Sequence, residues 1–161
     1  MIRIGKPKRG LVLPLGPGAS LTYRQATSID REAALHAARE FFQSVRAGAR
    51  ALSELGLDIG DAASLTEDEG LSSGVSLLVF NVELCMRCVA SWEGVGDETG
   101  AQLALTRENV ADLLRDPALY ALISSALMAR LVEMDEEGNA SALSPNGAPA
   151  GAPPTAGAAA N

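Results

Sequence analysis

An α+β domain, mainly α, is what this 161-residue sequence predicts, and three observations predict it. Apolar residues alternate at period two only near the start, at Leu11, Leu13 and Leu15 and again at Leu21 and Tyr23, which is the pattern of half-buried strands. From Asp30 the apolar spacing lengthens to that of a helix. After Glu137 charge vanishes, and with it every large apolar residue except Leu143. The expected organisation is one globular domain over residues 1–137 and a disordered Ala/Gly/Pro-rich tail over 138–161. Within the domain, a β-hairpin over 1–26 precedes a helical body over 30–137, with a short turn or hairpin at 93–105 and three to four helices round a central apolar one.

The hairpin turns at Gly16–Gly18, where "GPG" supplies the reversal. Pro14 lacks a backbone donor, so its strand belongs at an edge. Next, Leu35, Ala38, Phe41, Phe42, Val45, Ala49 and Leu52 form one helical stripe, with Arg39, Gln43, Arg46 and Arg50 off it. Asp30 is the expected N-cap of this helix and Gly56 its expected stop. A polar linker over 57–70 follows, and its Thr66 and Glu69 have the spacing of a capping box.

The second helix is expected over about residues 67–92. Leu71, Val75, Val79, Val82, Met86 and Val89 make one stripe, and Leu77, Phe80, Leu84 and Cys88 a neighbouring one. Apolar round most of its girth, it should be the element against which the others pack. "DETG" at 97–100 reverses the chain between short extended pieces. Thr106 then caps "RENVADLL", and Asp116 with Pro117 opens a last helix that runs to about Asp135 through Tyr120, Ile123, Leu127, Leu131 and Met134.

Composition narrows the function. The formal net charge is −7, and four of the thirteen basic residues, Arg3, Lys6, Lys8 and Arg9, sit in the first nine positions. The other nine face all twenty acids, an imbalance that argues against phosphate-backbone binding, so nucleic acid is not an expected partner. The apolar window around 74–92 contains Asn81, Glu83 and Arg87 and is too short and polar to span a bilayer, so no membrane role is expected. The opening residues lack the continuous apolar run of a signal peptide, which points to the cytoplasm.

Several groups invite a chemical reading. Cys85 and Cys88 have the C-x-x-C spacing of a redox pair or half a zinc site. No third Cys exists, His36 is the one His, and the pair falls in the most apolar helix, so they read as core residues. His36 has no second His with which to build a site. The acids of 66–70 suit a helix's opening turn, and those of 133–138 border the tail, where ligands would not be held in place. "GPG" is followed by no Lys-Ser/Thr pair and is a turn rather than a phosphate cradle. Trp92, the one tryptophan, reads as a core anchor more readily than as a binding hot spot. No catalytic residue, metal or cofactor is therefore expected, and no oligomeric state or partner-binding residue is singled out.

The ordered set Trp92, Gly94 and Val95, Asp97 and Gly100, Thr106, Glu108 and Asn109, then Glu137 and Asn139 resembles the small tail assembly chaperones of long-tailed bacteriophages and prophages. The likeness is clearest over residues 76–150, and the N-terminal part agrees in outline. It implies a non-enzymatic cytoplasmic factor that binds the tape-measure protein, keeps its apolar helical stretches from aggregating and helps recruit tail-tube subunits. The resemblance also implies that the chain is not present in the finished virion. Two other classes stand beside it: a structural component of the tail or head–tail junction, and a small thiol enzyme using Cys85 and Cys88.

Overall fold

The computed structural model describes residues 8–48, 52–57 and 64–142. Strands β1 (Leu11–Gly16) and β2 (Ala19–Tyr23) form the expected hairpin, closed by Pro17 and Gly18, with Leu13 opposite Leu21. Gly18 takes a positive φ of 75° in that turn. Pro14 lies in an edge strand as its missing donor requires. The sheet, however, has a third strand, β3 (Val89–Glu93), antiparallel to β2 in the order β1-β2-β3.

That strand corrects the expected helix over 67–92. The central helix α3 spans Glu69–Cys88 and passes straight into β3. Two features of Arg24, just beyond β2, stop it: its backbone N–H donates to the Cys88 carbonyl at 2.9 Å, and its Nη2 donates to the Arg87 carbonyl at 3.1 Å. The last carbonyls of the helix are thereby satisfied from outside it. The sequence misleads because Val89 and Trp92 are both buried although three apart. In a regular strand such residues point to opposite faces, but the register slips between Thr22 and Tyr23 as it crosses to β3, and the slip imitates a helical period.

Helix α1 (Ser28–Arg46) buries Asp30, Ala34, Ala38, Phe41 and Val45. Its N-cap is Thr27 rather than Asp30: Thr27 Oγ1 accepts from the Asp30 N–H at 3.3 Å, and Asp30 Oδ2 accepts from the Thr27 N–H at 2.9 Å. Asp30 is the far half of a capping box, three residues in. The helix also stops earlier than Gly56, because Gly48 at φ 70° ends it. Leu52 still reaches the core, from a 3-10 turn over Leu52–Leu55 that Gly56 closes; Ala49 and Arg50 lie outside the described residues.

Part of the expected polar linker is structural. Residues 58–63 lie outside the description, but Ser64–Glu67 form a one-turn helix, α2, whose Leu65 is only 1% exposed. Thr66 sits inside that turn, so the expected Thr66–Glu69 box does not cap α3. Asp68 does, its Oδ1 accepting from the Leu71 N–H at 2.9 Å. Along α3, Val75, Val79, Val82, Leu84, Cys85 and Cys88 are buried, whereas Leu77, expected on an apolar stripe, is 53% exposed.

Helices α4 (Arg107–Leu113) and α5 (Pro117–Ala142) start as expected. Thr106 Oγ1 accepts from the Asn109 N–H, and Asp116 Oδ1 from the N–H groups of Ala118 and Leu119. Helix α5 continues seven residues past Asp135, so the first five positions of the expected tail are helical; residues 143–161 lie outside the description. The side chain of Met134 is likewise undescribed, while Ile123 and Leu127 are buried. The architecture is α+β and mainly α. Helix α3 lies against α1, α2, α4 and α5, as its apolar girth demands.

Candidate functional site

Trp92 stands at a corner where β3 meets the first hairpin and the 93–105 loop. It faces Leu21 across β2 and β3, is buried, and donates from Nε1 to the Leu103 carbonyl at 2.7 Å. Gln102 Nε2 returns a bond to the Trp92 carbonyl at 3.2 Å. Between these residues the chain makes a narrow loop, with Gly96 bridged to Gln102 and the Leu103 N–H donating to Val95 at 2.9 Å. Asp97 holds the loop's tip: its Oδ1 accepts from the Thr99 hydroxyl at 2.6 Å and from the N–H groups of Thr99 and Ala101 at 2.8 and 3.0 Å. These donors stabilise the carboxylate and lower its pKa, led by the Thr99 hydroxyl.

Gly94 adopts φ 67°, and a Cβ there would collide with the Gly18 carbonyl of the first hairpin. The corner therefore locks onto the β1–β2 turn. Asn109 donates from Nδ2 to the Ala104 carbonyl at 2.8 Å and joins the loop to α4. Trp92, Gly94, Asp97, Gly100, Thr106 and Asn109 thus belong to one continuous structural unit. Its Trp92, Asp97, Gln102 and Asn109 side chains all hydrogen-bond within the unit, so the corner reads as a structural one.

The C-x-x-C pair is free and buried. Desolvation pushes the Cys85 thiol up to about 12 and the Cys88 thiol up to about 11, so neither is a thiolate at neutral pH. Beside them lies an ion pair, Arg24 with Asp30, in which both guanidinium nitrogens reach the carboxylate at 2.7 Å. The hydrogen bond to Arg24, reinforced by Thr27, holds the Asp30 carboxyl well below the usual carboxylate range. Its oxygens are committed to the cap and the pair.

His36 is exposed, 3.5 Å from Glu40 on the same helix. Among the described residues no group of three or more His, Cys, Asp or Glu is placed to hold a metal ion. Of the two acidic groups, Asp68 is spent as a cap, and the side chains of 133–138 lie outside the described residues. A cleft of about 880 Å³ opens between α1, α3 and α4. There Glu83 is held by Arg107, Nε to Oε1 at 2.6 Å and Nη2 to Oε2 at 3.2 Å, so its carboxylate is occupied.

The last helix, which packs against α3 and β1, has an unusual composition. From Pro117 to Val132 the one charged residue is Arg130. Ile123 and Leu127 are buried, Leu119, Tyr120, Met128 and Leu131 pack partly against the core, and Leu122 and Val132 stand 40% and 52% exposed. A helix apolar on every side is ordinarily covered on every side. Exposed Leu77 belongs to the same region, one turn before Asn81, which hydrogen-bonds Tyr120 and Ser124 of α5. The helical spacing marks Ile123 and Leu127 as core but not the exposed side of α5, for which the near absence of charge over sixteen positions is the available signal.

No family model, curated protein or solved structure matches the chain.

Proposed function

We propose that this chain is a tail assembly chaperone of a long-tailed bacteriophage or prophage. In this reading it works in the host cytoplasm, catalyses no reaction, binds the tape-measure protein, and helps tail-tube subunits assemble before leaving the particle. The observation that carries the reading is the ordered set from Trp92 to Asn139, on which the resemblance to that family rests. Its physical support is exposed apolar surface beside a well-packed core. Leu77, Leu122 and Val132 offer surface on which a helical client can bury its own apolar stripe.

The free face of α5 also favours a second reading, a structural tail or head–tail junction component, since permanent assemblies bury such faces. Quantitative mass spectrometry separates the two. A chaperone is abundant in the producing cell and absent from purified particles; a stoichiometric presence in the particle establishes the structural reading instead. The thiol-enzyme reading has less support, because both of its thiols are buried and protonated at neutral pH.

A further inference from the structure

The side of α1 carries a surface of the opposite character to α5. Arg39, Phe42 and Arg46 lie on one face of α1 and line a cleft of about 660 Å³ whose far wall is Ser72, Ser73 and Ser76 of α3. Neither Arg39 nor Arg46 has a side-chain hydrogen bond or ion pair among the described residues, whereas Arg24, Arg31, Arg107 and Arg115 all do. Arg9 and Arg87 likewise show no such partner among the described residues, but only Arg39 and Arg46 line one cleft together, and on a chain of net charge −7 they concentrate positive charge there. Glu69 also lines the cleft and pairs with neither.

The serine wall is an exception of its own. Ser72, Ser73, Gly74 and Ser76 fall within the central helix, where Ser and Gly are poorer formers than Ala or Leu. At Gly74 packing does not ask for a glycine: a Cβ there would meet nothing within 4 Å. The small residues leave a recess lined by hydroxyls. At Gly74 local preference and fold disagree, as they do where a site rather than the core sets the residue.

We infer that this cleft docks an acidic helical segment of a partner protein, with carboxylates on Arg39 and Arg46 and an apolar side chain on Phe42. Arg39 and Arg46 are seven residues apart, about 10 Å along the axis at 1.5 Å per residue. Carboxylates two turns apart on a partner helix have the same spacing, and each can take a forked, charge-assisted bond from a guanidinium. Between them the Phe42 ring is braced edge-on against Phe41, with centroids 6.4 Å apart and planes at 79°. The Ser hydroxyls supply neutral donors and acceptors to the segment's other flank. A nucleic acid fits less well, because two guanidiniums beside Glu69 on an acidic chain cannot offset a phosphate backbone. The inference stands apart from the chaperone reading, since it concerns another face and an acidic rather than an apolar determinant.

The test is fluorescence anisotropy of a labelled helical peptide of about 20 residues, carrying two Glu seven apart with Leu between, titrated with the full chain. Saturable binding that weakens as salt rises is expected. It should fall at least about tenfold in the double variant Arg39→Glu with Arg46→Glu, the loss of roughly one charge-assisted bond. Ser73→Leu, which fills the recess without changing charge, should also weaken it, while Arg31→Glu, whose arginine already pairs with Glu32, should leave it unchanged. Circular dichroism verifies that each variant is folded. Absence of saturable binding, equal binding by the double variant, or preference for oligothymidine of equal charge overturns the inference.

Discussion

Asp30 joins three elements through one carboxylate: it closes the capping box of α1, takes both Arg24 nitrogens, and through Arg24 ties the end of α3 to β2. Asp30→Asn should cost about 2 kcal/mol, the range for a hydrogen bond to a charged group whose partner is left behind. Because the folded carboxyl titrates below its ordinary 3.8, the contribution is complete above that value and fades as pH falls below it. Urea unfolding at neutral and acidic pH should show that loss in the parent and less of it in the variant. The thiols behave in the opposite sense. Their folded values lie above the ordinary 9.0, so their share of stability is complete below it and drains away as pH rises toward 11 and 12. Replacing both by Ala should cost about 1–2 kcal/mol at neutral pH and flatten the alkaline decline; an unchanged decline would show that the thiols are not its source. The burial of Cys85, Cys88 and Trp92 was legible from residue type and apolar neighbours. The role of Asp30 was not, because Thr27 and Asp30 are both good caps and only a tertiary partner, Arg24, decides between them.

The elements divide in the same way. Helix starts at Thr106 and Asp116 were readable because the cap lies within three residues of the group it satisfies. The end of α3 was not, since its carbonyls are met by Arg24, more than sixty residues away in sequence. Helix α1 stopped at Gly48, the nearer of two suitable glycines, and local signals ranked neither first. Two glycines of the Trp92 loop separate geometry from contact. Gly100 has φ 82° with nothing within 4 Å of a would-be Cβ, so Gly100→Ala should cost about 1–2 kcal/mol for the left-handed backbone alone. Gly94→Ala adds a collision with the Gly18 carbonyl and should cost clearly more, loosening β3 from the first hairpin. Thermal unfolding of the two variants gives the order; equal costs would mean that the corner does not lock onto the β1–β2 turn.

At the scale of the molecule, α3 is the shared wall, with the sheet at its C-terminal end and α1 and α5 against different parts of its surface. A buried polar node joins α3 to α5: Asn81 donates to Tyr120 at 2.9 Å and accepts from Ser124 at 2.6 Å. Such a node fixes register without covering the far side of α5, so the exposed Leu122 and Val132 remain available. The fold class was visible in the sequence because it depends on apolar period alone. The free face of α5 was not, because period shows where a core stripe lies and cannot show that the opposite stripe lacks a neighbour. The central claim, that this chain holds a long helical client in solution, is tested most directly by the soluble yield of the tape-measure protein expressed with and without it. The account predicts a marked rise in soluble client with the intact chain, and a smaller rise when Leu122→Glu and Val132→Glu place charge on the exposed face. A client equally soluble without the chain would contradict it.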